Sequence, residues 1–125
     1  MLYKSRIGST FSEDTTIRFS TFNCLQNESN TEVYCAVSVK DAQRAAILAT
    51  EAFRQFKKTD VSVRADFLNG IADELELQRS ELIQMYCKES SLSAQRANSE
   101  LDRTIFQLRS YGNYLLNEQW NRPLL

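Results

Sequence analysis

RADFLNGIADELELQRSELIQMYCKESSLSAQRANSELDRTIFQLRSYGNYLL, residues 64–116, decides the fold of this 125-residue chain. The stretch holds no proline. Early in it, Phe67, Leu68, Ile71, Ala72 and Leu75 recur at a spacing that gathers them on one side of a helix of about 3.6 residues per turn. Late in it, Leu101, Ile105, Leu108, Gly112 and Leu115 form a cleaner stripe, stepping alternately by four and three. Between them lie Leu82, Ile83, Met85 and Tyr86. This periodicity predicts a layer of amphipathic helices that needs a partner surface, and by itself carries no chemistry.

Working outward, the next helix boundary lies upstream. Ser38 followed by Asp41 has the form of a capping box with aspartate in the place of glutamate. From there Ala42, Ala45, Ala46, Ala49, Ala52, Phe53 and Phe56 make an unbroken stripe. The alanines permit close approach to a neighbour. The two phenylalanines are expected to anchor the helix end, since burying one contributes roughly 1.5–3 kcal/mol. Lys57 and Lys58 suit the C-terminal end of the dipole. Thr59 or Asp60 is the expected cap of the following helix. The expected helices are Val39–Lys57, Val61–Leu77, Ser80–Ser90 and Ala94–Asn117.

Gly70 falls inside the second helix, where it costs about 1 kcal/mol relative to alanine. It marks either close packing against another backbone or a tolerated surface position. Upstream of Ser38 the pattern changes to two or three short strands with turns. Arg6-Ile7-Gly8 is the first segment, and Ser12–Thr16 is a polar turn. Ile17–Phe22 alternates apolar and polar, as a strand with one buried face does. Asn23–Thr31 has loop chemistry, and Glu32–Val37 is a third strand.

Composition bounds the function classes. Net charge is −1, from 15 basic and 16 acidic residues well mixed along the chain, so no field favours nucleic acid or anionic lipid. No apolar run approaches the roughly 20 residues of a membrane span, and the N-terminus has no signal-peptide core. A cytoplasmic location is the expectation. Cys24, Cys35 and Cys87 are odd in number and widely spaced, which argues against a disulfide framework or a zinc knuckle. Histidine is absent, which removes Ser-His-Asp and Cys-His catalysis and imidazole metal ligation.

The remaining candidates have plain alternatives. Cys87 stands late in its helix, where the dipole opposes a thiolate. The carboxylates Asp73, Glu74, Glu76, Glu81, Glu89, Glu100 and Asp102 lie on polar faces, with Glu76–Arg79 and Glu100–Arg103 spaced for ordinary i,i+3 pairs. Such pairs give ~0.2–0.5 kcal/mol each. Gly8, Gly70 and Gly112 are too scattered for a phosphate loop. Arg96, Arg103 and Arg109 are interrupted by Glu100 and Asp102, and Trp120 is as readily a packing anchor as a binding residue.

Particular residues carry a family likeness. Arg64-Ala65-Asp66-Phe67-Leu68, Ile71–Glu76, Leu82-Ile83 and Glu89-Ser90 resemble the N-terminal helices of the aldehyde dehydrogenase superfamily. The continuation Glu89-Ser90-Ser91-Leu92, Arg96-Ala97, Glu100, Arg103-Thr104 and Gln107-Leu108-Arg109 resembles the alpha-ketoglutaric semialdehyde dehydrogenases. The resemblance runs from about Ile7 to Trp120. Two departures stand out. Asn23-Cys24 replaces an Asn-Pro turn, and Ser91 replaces the glycine that takes the left-handed C-cap, at a cost of order 1 kcal/mol.

This resemblance implies a mostly α chain with a small N-terminal β-hairpin, forming the N-terminal part of an α/β aldehyde dehydrogenase fold. Residues 1–37 would be the strands, 38–119 a four-helix segment of the cofactor-binding domain, and 120–125 a tail. In such enzymes a thiolate attacks the aldehyde, hydride passes to NAD or NADP, and water releases the acid. The nucleophile lies in a Gly-Gln-x-Cys-type element far downstream, and none of the three cysteines matches it. The implied role is therefore scaffold, with no catalytic, cofactor-binding or metal-binding residue in this chain and no activity alone. Glu89 matches a family glutamate that is architectural. The expected partners are the remainder of the dehydrogenase or a second copy. The alternative is a stand-alone helical interaction module, suggested by the stripe of Leu101, Ile105, Leu108 and Leu115.

Overall fold

The computed structural model describes residues 2–117. Trp120 and the rest of the 120–125 tail lie outside the described residues. Seven short strands come first: β1 (Leu2–Tyr3), β2 (Arg6–Ile7), β3 (Thr10–Phe11), β4 (Arg18–Phe19), β5 (Phe22–Asn23), β6 (Glu28–Ser29) and β7 (Val33–Cys35). Four helices follow: α1 (Val39–Phe56), α2 (Val61–Leu77), α3 (Arg79–Ser90) and α4 (Ala94–Leu116). All four fall within one residue of the boundaries expected from the sequence. The described residues divide into two compact units between Lys58 and Thr59.

In the first unit, β7 is the middle strand of a three-stranded sheet, with β1 parallel on one side and β4 antiparallel on the other. Tyr3 and Phe19 both register with Tyr34, and the three rings stack at centroid distances of 5.2 and 5.6 Å. Strands β2 and β3 form a hairpin around Gly8, whose φ of +63° is costly for a residue with a Cβ. A Cβ there would also stand 3.2 Å from Leu48 Cδ1, so the turn sits close against α1.

The strand expected over Ile17–Phe22 is broken, and three features correct the sequence reading. Residues 18–19 pair with β7, but residues 22–23 turn away into a hairpin with β6. The segment expected to be a plain loop, Asn23–Thr31, therefore carries the end of β5 and all of β6 around a turn at residues 24–27. Asn23 makes the turn. Its side-chain oxygen accepts from the backbone N–H groups of Leu25 and Gln26 at 3.0 and 3.2 Å, the local bonding by which asparagine mimics a turn. This fixes the position where the family likeness would have a proline. Lastly, the alternating face is not buried, for Ile17 and Phe19 remain exposed.

Helix α1 starts as its cap predicts. The backbone N–H of Asp41 donates to Ser38 Oγ at 3.1 Å. The expected apolar burial does not follow, because no residue of α1 is buried. Phe53 is 59% exposed and Phe56 40%, so neither anchors the helix end as expected. Instead Lys57 places its ammonium 5.6 Å from the Phe53 ring centroid. Of the alanine–phenylalanine stripe, Ala45 is half-buried and the other members are exposed.

The second unit is a helical layer built on the pairing of α2 with α4. Ala65 and Ala72 of α2 and Ala97, Ile105 and Gly112 of α4 are its buried residues. The Leu101–Leu115 stripe thus faces α2, as its spacing predicts. On α2 the buried face is set by Ala65 and Ala72, while Phe67, expected on it, is 55% exposed. At Gly112 the two helices come close, since a Cβ there would stand 3.4 Å from the backbone oxygen of Ala65. Gly70, by contrast, has open space around it and is a surface glycine. Helix α3 ends where Ser91 takes φ +60°, its N–H donating to Cys87 O at 2.9 Å. The left-handed cap forms without glycine. Ser93 then caps α4 by accepting from the Arg96 N–H at 3.2 Å.

Candidate functional site

The best-formed polar cluster of the first unit gathers at the start of α1. Ser38 stops the strand region and Asp41 follows in the first helical turn, so the Asp41 carboxylate lies where free helix N–H groups favour negative charge. It does not reach back to complete the capping box. It accepts from the hydroxyl of Ser12 at 2.5 Å and pairs with Arg44 at 3.3 Å. Arg44 also donates to Thr10 Oγ1 at 3.1 Å. Ser12 is 1% exposed, and its backbone N–H donates to Ser5 O at 2.8 Å. The cluster therefore latches the end of the β2–β3 hairpin onto α1.

Beside this latch lies a cleft of about 570 Å³, bordered by Phe11, Glu13, Asp14, Lys40 and Arg44. Its charges are of both signs. The N–H of Thr16 holds the Asp14 carboxyl below the usual range by donating to it at 2.9 Å. Through Ser12, Asp41 and Arg44 the same cluster joins the hairpin to the helix that borders this cleft.

In the second unit the polar centre is Arg79, the first residue of α3. Its guanidinium forks onto Glu76 at 2.8 and 2.7 Å, then reaches Asn98 at 3.1 Å and Asp102 at 2.7 Å on α4. One side chain thus ties three helices. The sequence spacing showed the Glu76–Arg79 pair but not the link to α4, which joins residues 23 apart. Arg79 holds the Glu76 carboxyl below its ordinary value, and Glu76 and Asp102 together raise the guanidinium above its own. Glu100 is likewise held down, first by Arg103 and then by Arg96, at 2.7 and 2.6 Å. Arg109 bridges to Asp73 of α2 at 2.9 Å.

The other candidate residues are dispersed. Cys24 is exposed beside the β5–β6 turn, Cys35 is buried on β7, and Cys87 is half-buried late in α3; all three are free thiols. Asp73, Glu74 and Glu81 are exposed, and Glu89 is half-buried in the last turn of α3. Among the described residues no group of three acidic or cysteine side chains could hold a metal ion. Among them too, no helix is long and apolar enough to cross a membrane. An apolar groove of about 240 Å³ does open in the second unit, lined by Leu75, Leu82, Ile83, Tyr86 and Leu101.

The family of the chain follows from the sequence match that runs through these strands and helices. Residues 11–122 match the aldehyde dehydrogenase family, which takes in most of the strand region and all four helices. The chain belongs to that family. It is similar to alpha-ketoglutaric semialdehyde dehydrogenase 2 of Azospirillum brasilense, 34% identical over 79 residues, or 63% of this chain and 15% of that protein. It is also similar to the alpha-ketoglutaric semialdehyde dehydrogenase of Acinetobacter baylyi, 30% identical over 83 residues, or 66% of this chain and 16% of that protein. The matched region thus spans about one-sixth of the length of these aldehyde dehydrogenase relatives. Both bear the semialdehyde dehydrogenase name that the residues from Glu89 to Arg109 had suggested.

Proposed function

We propose that this chain is an N-terminal scaffold segment of an NAD(P)-dependent aldehyde dehydrogenase of the alpha-ketoglutaric semialdehyde type. The observation that carries this is the family match across residues 11–122, coinciding with helices that hold one another by the Arg79 clip and the α2–α4 contact. In this reading the segment helps to hold the architecture around a dinucleotide and an aldehyde, and the reacting groups belong to other segments. The exposed apolar face of α1 is then a contact surface for the rest of the dehydrogenase.

Isothermal titration of the purified chain with NAD and with NADP tests the scaffold reading. The expected result is no saturable heat at micromolar dinucleotide and no aldehyde oxidation. A saturable curve for either cofactor overturns it.

A further inference from the structure

We draw no further inference here: the strongest candidate, the apolar groove between α2, α3 and α4 lined by Leu75, Leu82, Ile83, Tyr86 and Leu101, is an unpartnered surface, and nothing in the structure shows what covers it.

Discussion

Gly112 of α4 lies against Asn69 of α2: a Cβ at position 112 would stand 3.1 Å from Asn69 Oδ1 and 3.4 Å from the backbone oxygen of Ala65. The two helices therefore meet at a point where hydrogen is the only side chain that fits without adjustment. Gly112→Ala gains up to about 1 kcal/mol in helix propensity but must displace the Asn69 amide. Those effects should nearly cancel. Gly112→Val adds a three-carbon isopropyl group where a Cβ alone is already close to Asn69 and Ala65, and should cost about 1–3 kcal/mol by overpacking. Gly70→Ala, with open space around it, should instead stabilise by up to about 1 kcal/mol. Urea denaturation of the three variants checks this order, and equal effects at 70 and 112 would contradict the close contact.

Ser91 offers a test of the left-handed cap. Its φ of +60° places the Cβ in a region that costs an ordinary residue about 1 kcal/mol and glycine almost nothing. Ser91→Gly should raise stability by about that amount, seen as a higher denaturation midpoint with an unchanged slope. The gain is expected to be small because the Ser91 N–H to Cys87 O bond is already made.

The latch between the hairpin and α1 should be more sensitive than the cap that begins the helix. Ser38→Ala removes one N-terminal hydrogen bond and should cost about 1 kcal/mol. Ser12→Ala leaves the largely covered Asp41 carboxylate short of a donor, a loss of about 1–3 kcal/mol. Hydrogen exchange at the amides of β2 and β3 reads this directly. Faster exchange there in Ser38→Ala than in Ser12→Ala would reverse the assignment.

The helix boundaries were legible where a local signal marks them: Ser38 caps α1, Ser91 stands at the left-handed end of α3, and no proline intervenes between residues 64 and 116. The strand region was legible only as a tendency. Two- and three-residue strands are too short for a period-2 pattern to register, and the split of Ile17–Phe22 depends on Asn23 bonding its own turn. Pairs three or four residues apart could be read from spacing, as Glu76–Arg79 and Glu100–Arg103 were. The bonds from Ser12 to Asp41 and from Arg79 to Asp102 could not, since they join residues 29 and 23 apart. Burial was misread at Phe53, Phe56 and Phe67, because a pattern states which face is apolar but not whether anything covers it.

Acid should loosen the second unit through its ion pairs. Glu76 and Glu100 are both held below the ordinary glutamate value of 4.5, first of all by hydrogen bonds from Arg79 and Arg103. A depressed folded-state pKa means the unfolded chain binds protons first as pH falls. Their contribution is thus complete above 4.5 and is lost progressively below it, as pH drops through the lowered folded values. Glu76 is exposed and Glu100 half-buried, so added salt should shrink the effect, most of all at Glu76. Thermal melts from pH 7 to pH 3 check it: the acid-induced drop should be smaller in the double variant Glu76→Gln/Glu100→Gln. An identical drop in parent and variant would remove these pairs from the account.

The α1 face makes the last prediction. Ala42, Ala46, Ala49 and Phe53 share one side of a helix that contains no buried residue, and Ile47, Phe56 and Val39 lie exposed nearby. Contiguous apolar patches beyond a few hundred Å² are uncommon on monomeric proteins. The hydrophobic effect, at roughly 25 cal/mol per Å² of apolar surface removed from water, favours covering such a face. The isolated chain should therefore self-associate at micromolar concentration or bind a hydrophobic dye. Phe53→Lys places a charge in the middle of the face while touching no buried contact of the fold. It should lower the mass seen by light scattering and cut dye fluorescence, with helical circular dichroism unchanged. A parent chain that is already a monodisperse, dye-silent monomer would show that this face is stable in water, and would remove the reason to assign it a contact with the rest of a dehydrogenase.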